Sequence, residues 1–202
     1  MRGGDALRDV KAGWKVAEAF PANGPGNVAE HNGAVLLSLT EGVSALVIRV
    51  GAPAGVAAAE LDRLFDGVFL DLVPVLFEIA GPDYVRVADA VLGLLSDLDD
   101  DQRSRLSVDL GADPLTAPLS GRVAPRNRRR RGHRCQTRRL TAAAFAPSPS
   151  TDPAFHNLGA NASWELAGLV SAGVSHLRQL EEGGVGVADA LRQIRGASRF
   201  CL

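Results

Sequence analysis

Three aspartates, Asp71, Asp109 and Asp113, fall where predicted strands end, and a single histidine, His156, stands just ahead of a predicted helix. Carboxylates at the carboxyl ends of parallel strands are where α/β enzymes keep groups that move protons or hold ligands. The same residues also suit the turns and helix starts that follow a strand. His31, His133, His156 and His176 lack the close spacing of metal ligands, so no metal site is expected. No lysine follows a phosphate-cradling glycine run, and no GxSxG nucleophile elbow occurs. Gly183-Gly184-Val185-Gly186 lies between helices and reads as a turn rather than a dinucleotide loop. The residue types therefore assign no catalytic group, and Asp109, Asp113 and His156 are left as the candidates to face a substrate.

A second population of residues could do chemistry of another kind. Arg122 to Arg139 holds nine of the twenty arginines, and no Asp or Glu lies between Pro114 and Thr151. Such a run can neutralise the phosphates of a nucleic acid. It has no aromatic interleaving and no recognisable nucleic-acid fold around it, so it reads as a solvated, disordered insert. Without that block the chain carries 13 basic and 23 acidic residues, and the overall net charge of −1 averages two unlike regions.

The 202 residues suit one domain, and an apolar fraction of 46% is that of a chain with a core. Lysine occurs only as Lys11 and Lys15 while Ala, Gly, Val and Leu dominate, the usage of a GC-rich coding sequence. No apolar run reaches the 18 residues of a membrane span, and Met1-Arg2-Gly3-Gly4-Asp5 does not open a signal peptide. A cytoplasmic protein with no membrane partner is expected. Cys135 and Cys201 argue nothing about disulfides.

The elements that must position these groups alternate. Trp14 to Phe20 reads as a strand, and Asn27 caps a helix with Val28, Val35, Leu36 and Leu39 on one face. Val43 to Val50 is a buried strand by its β-branched content. Ala57 to Asp66 is a short helix, Val68 to Leu72 a strand, and Pro74 favours a helix start. Asp83 to Leu98 keeps helical apolar spacing, and Leu106 to Leu110 is a further strand. Periodicity disappears from Leu119 to Pro153. It returns in a helix capped by Asn161 that runs to about Glu182, with Leu166, Leu169, Val170, Gly173, Val174, Leu177 and Leu180 inward, and in a last helix from Val187 to Ile194. Four strands with helical crossovers predict a parallel sheet or barrel.

Phe65-Asp66-Gly67-Val68-Phe69-Leu70-Asp71-Leu72-Val73-Pro74, Ser107-Val108-Asp109-Leu110-Gly111-Ala112-Asp113-Pro114, and the openings Gly13-Trp14-Lys15-Val16 and Glu41-Gly42-Val43-Ser44 carry a resemblance. So does His156-Asn157-Leu158-Gly159-Ala160-Asn161, continuing through Glu165-Leu166 and Ala172-Gly173-Val174-Ser175-His176-Leu177-Arg178. In this order the segments resemble the small subunit of methylmalonyl-CoA mutase. The resemblance implies a (β/α)₈ barrel, adenosylcobalamin, and interconversion of succinyl-CoA and methylmalonyl-CoA. It further implies that the small chain supports a catalytic large chain in a heterodimer. The acyl-CoA and the cobalamin then belong to the complex, and none is bound by this chain alone. The family's DxHxxG cobalamin motif is absent, and Phe155-His156 lies closer to Gly159 than the Tyr-His pair of active chains would and lacks its tyrosine hydroxyl, so no catalytic role passes to His156.

The departures define the expected organisation. Residues 1–118 read as the first half of a (β/α) barrel, 119–154 as the Arg/Pro/Ser-rich insert, 155–195 as barrel helices and 196–202 as an aberrant tail. The pattern is that of a coding frame displaced near Arg122, regained near Phe155 and lost after Ile194. The fold class expected is thus α/β, a partial (β/α)₈ barrel of about four strands that does not close. The other readings are an inactive fragment, or a module binding anions or nucleic acid through the arginines.

Overall fold

The computed structural model describes residues 15–22, 26–51, 55–79, 83–96, 98–111, 115, 117–120, 145–146 and 154–193. The arginine run from Arg122 to Arg139, the 196–202 tail, Asp113, Cys135 and Cys201 lie outside the described residues. Strands β1 (Ala17–Phe20), β2 (Ala45–Val50), β3 (Val75–Ile79), β4 (Val108–Asp109) and the two-residue β5 (Phe145–Ala146) form one sheet. Every pairing is parallel and the strands lie side by side in chain order. Strands side by side in chain order with no reversal point are barrel topology rather than that of a doubly wound sheet. Among the described residues the sheet does not close.

Asn27 caps α1 (Val28–Thr40) by accepting from the Ala29 backbone N–H at 3.0 Å. A 3₁₀ turn, Ala58–Glu60, leads into α2 (Leu61–Leu64), and α3 (Tyr84–Ser96) buries Val87, Ala88, Val91 and Leu95. Asp99 closes a capping box with Gln102 at the start of α4 (Asp100–Arg105). One core joins these helices to the sheet. Alternate residues of the strands, Leu46, Ile48, Val50, Val75, Phe77 and Val108, point into it, with Phe65 edge-on to Phe77 at 6.1 Å. The amide of Asn32 on α1 donates to the carbonyls of Leu64 and Asp66, each at 2.8 Å, fixing α1 to the end of α2.

Two expectations are corrected. The third strand is Val75–Ile79, not Val68 to Leu72. The earlier run lies in turns with Phe69 and Leu72 exposed, whereas Val75 and Phe77 alternate into the core. Pro74 precedes the strand instead of opening a helix, its carbonyl accepting from Leu46 N–H at 2.9 Å, because a residue without an N–H fits just ahead of a strand. Second, β5 lies in the stretch that lost its periodicity, with Val108 opposite Phe145 and Asp109 opposite Ala146.

The last helices are α5 (Ala154–Asn157), α6 (Ala162–Glu182) and α7 (Val187–Gln193). Asn161 caps α6 as expected, accepting from Trp164 N–H at 3.0 Å. Phe155 lies on α6 at Gly168, where a Cβ would stand 2.6 Å from its ring. The side of α6 that is covered is not the one its large residues predict. Ala172 and His176 are buried and Leu169, Leu177 and Leu180 half-buried, while Leu166, Val170 and Val174 are exposed. An apolar row marks which side of a helix could be covered; coverage itself depends on a neighbour.

Candidate functional site

The face of the sheet away from the helices carries Ala45, Val47 and Arg49 from β2, with Leu76 and Glu78 from β3 and Asp109 from β4 in register beside them. Its carboxyl end is where charge collects. Arg49 and Glu78 are directly opposed, and Arg49 Nε donates to Glu78 Oε2 at 3.1 Å. Arg49 Nη1 also donates to the carbonyl of Pro21, just past β1, at 3.2 Å. One guanidinium thus links the ends of three consecutive strands. Both partners remain half-exposed, so solvent screens the pair.

Asp109 is 4% exposed at the end of β4. Its Oδ1 accepts from the Gly111 backbone N–H at 2.8 Å, an Asx-type turn that closes the strand. Gly111 has φ +59°, and a Cβ there would stand 2.2 Å from the Phe77 carbonyl oxygen. The glycine is required for β4 to leave the sheet so close to β3. Tyr84, in the first turn of α3, has its phenol pushed well above its ordinary value, first by burial and then by the charge of Asp109. The phenol is thereby kept neutral in its buried place near the end of β4.

The other candidates fall elsewhere. His156 is in α5, and its Nδ1 meets Glu165 Oε1 of α6 at 2.6 Å, so it belongs to a helix-to-helix pair. Asp71 was expected at a strand's carboxyl end. It sits in the turn before β3, at the amino end of the sheet, where Arg105 donates to its Oδ2 at 2.8 Å and also pairs with Asp101. That end of a parallel sheet serves stability rather than chemistry. The sequence reading missed Arg49, Glu78 and Tyr84. The signal available was one arginine inside the apolar run Ala45-Leu46-Val47-Ile48-Arg49-Val50 and one glutamate in Val75-Leu76-Phe77-Glu78-Ile79. A charge on an otherwise buried strand needs a partner across the ladder.

Among the described residues no group of three or more His, Cys, Asp or Glu is arranged to hold a metal ion. Nor do those residues fit a corrin. The ring of His31 lies against Gly26, His156 is held by Glu165, and His176 is buried on α6. A corrin needs a broad apolar floor with a histidine rising from it, and the strand ends here present an ion pair instead.

Among the described residues, an open, all-parallel sheet with its strands in chain order matches a part of a (β/α) barrel, and comparison with known proteins gives that part a place. The chain is 52% identical over 204 aligned residues to proteins named probable methylmalonyl-CoA mutase small subunit in Mycobacterium bovis and Mycobacterium tuberculosis, covering 96% of this chain and 31% of theirs. It is 32% identical over 200 residues to a methylmalonyl-CoA mutase small subunit of Streptomyces virginiae, covering 96% of this chain and 30% of that one. No family model matches the chain. The chain is thus similar along nearly all of its length to proteins named methylmalonyl-CoA mutase small subunit, and it spans about a third of the length of the relatives it matches. No described helix is long and apolar enough to cross a membrane.

Proposed function

We propose that this chain acts as the supporting member of a cobalamin-dependent mutase, docking a catalytic large chain in a heterodimer rather than carrying turnover itself. The observation that carries this is the state of the strand-end polar groups. Arg49 and Glu78 are turned on each other, Arg49 also holds the Pro21 carbonyl, and Asp109 holds the turn at Gly111. Groups spent on tying strands together favour a scaffold over a reaction centre. The similarity to small subunits supports the same reading. In this arrangement the large chain holds the adenosylcobalamin and the acyl-CoA, and the complex works in the cytoplasm. His156 and Asp109 are then positioning groups of the scaffold; Asp113 follows Asp109 in the run Asp109-Leu110-Gly111-Ala112-Asp113-Pro114.

The reading extends to the arginine run. The similarity spans 96% of the chain, so matched sequence stands on both sides of it. We take residues 119–154, apart from the strand pair Phe145–Ala146, as an insert between two barrel segments and attribute it to a displaced coding frame, which resequencing of the coding DNA tests. The functional test is affinity purification of tagged chain co-expressed with a mutase large chain. The expected result is co-purification that survives high salt, with turnover of methylmalonyl-CoA by the complex and none by this chain alone. Turnover by the pure chain overturns the proposal, as does failure to retain the large chain.

A further inference from the structure

We propose that the exposed face of α6 is a self-complementary surface on which a second copy of this chain docks, the two helices running antiparallel about a twofold axis between Val170 and Ser171. The face is apolar and accessible: Leu166 is 61% and Val170 57% exposed, with Trp164 and Val174 exposed beside them. Ser163, Ala167, Ser171 and Arg178 are exposed on the same helix. Large residues recur every four positions at Leu166, Val170 and Val174, and small ones every four at Ser163, Ala167 and Ser171. These two rows adjoin on a helix surface.

Antiparallel superposition about that axis sets Val170 against Ser171, Val174 against Ala167 and Arg178 against Ser163, so each larger group meets a small one. Helices approach closely when ridges of one enter such gaps in the other. Charge selects the direction. Arg178 arrives beside the indole of Trp164, a cation over an aromatic face. Glu181 and Glu182, exposed at the end of α6, come next to the positive N-terminus of the opposing helix. A parallel pair would set both glutamates against their own copies and both arginines likewise. A contact of this kind is isologous and closes at two subunits. It is separate from the docking of a large chain, which needs no symmetry.

The test uses the whole chain by itself. Sedimentation velocity over a range of concentrations is expected to show a monomer–dimer equilibrium. Val170→Glu, at an exposed position that the monomer tolerates, is expected to raise the dissociation constant roughly a hundredfold, the effect of a charge at the centre of an apolar interface. Arg178→Glu weakens the dimer by about tenfold, since it brings a third carboxylate to the opposing Trp164 end. For geometry, Cys135 and Cys201 are replaced by Ser and a single cysteine is placed at position 170 or 162. Mild oxidation should cross-link the first and leave the second without a cross-link. A chain that stays monomeric at all concentrations overturns the proposal. So does a dimer indifferent to Val170→Glu, equal cross-linking at both positions, or a face that binds only a mutase large chain.

Discussion

The sheet with α1 to α4 and the helical segment α5 to α7 use similar residues to opposite ends. In the first, Leu46, Ile48, Leu61, Leu64, Val87 and Val91 are almost wholly removed from water around one core. In the second, α6 is the longest helix described, yet Trp164, Leu166, Val170 and Val174 are exposed and its buried positions are Ala172 and His176. The same 3.6-residue period runs through α3 and α6. What separates them is the presence of a neighbour, which no periodicity encodes. The first region carries the stability of the chain and the second presents surface.

Substitutions can break that contrast. The largest effect is expected from Gly111→Ala, where a Cβ would overlap the Phe77 carbonyl and φ is positive. A loss of about 3 kcal/mol or more is expected from backbone strain at such a site. Urea unfolding measures it, and a near-neutral result would show that the β4 exit is not built as described. Next comes a matched pair. Ile48→Ala should cost about 2–5 kcal/mol as a core truncation, whereas Val170→Ala measured at dilute protein should stay within about 0.5 kcal/mol as a surface change. Equal losses would erase the distinction between the regions.

Asn32→Ala should cost about 1–2 kcal/mol, because two carbonyls lose their shared donor. Asn32→Asp should not restore it, since a carboxylate cannot donate. The smallest effect is a dependence on alkaline pH. Tyr84 binds its proton more tightly in the folded chain than at the ordinary value of 10.0. Its contribution is complete below that pH and declines above it, where the unfolded chain ionises while the folded chain does not. Tyr84→Phe should flatten the decline; an unchanged slope would place the responsible group elsewhere.

Much of this architecture was legible. The cap at Asn27, the β-branched run to Val50, the spacing from Tyr84 to Leu95 and the cap at Asn161 each combine a local rule with a tertiary one, and all four elements form as read. Val68 to Leu72 misled because an apolar run bounded by turns suits a strand or a packed loop equally. Only Pro74, with a carbonyl to give and no N–H to lose, marks the true strand start. At the strand ends Asp109 was legible from its glycine two residues on. Arg49 and Glu78 were not, because what matters about them is being opposite each other, and register is settled by the whole sheet. His156 was visible as a lone histidine, but its pairing with Glu165 depends on the angle between two helices.

The position of Arg49 also bears on how the sheet comes apart. Among the described residues the first strand has a neighbour on one side only, and an edge of four residues would ordinarily fray from its free ends. The guanidinium bolts the exit of that strand, through the Pro21 carbonyl, to the two strands behind it. Opening should therefore run from Ala17 toward Phe20 like a hinged flap. Amide hydrogens of Val47 and Arg49, which face the first strand, would then exchange later than that of Ala45.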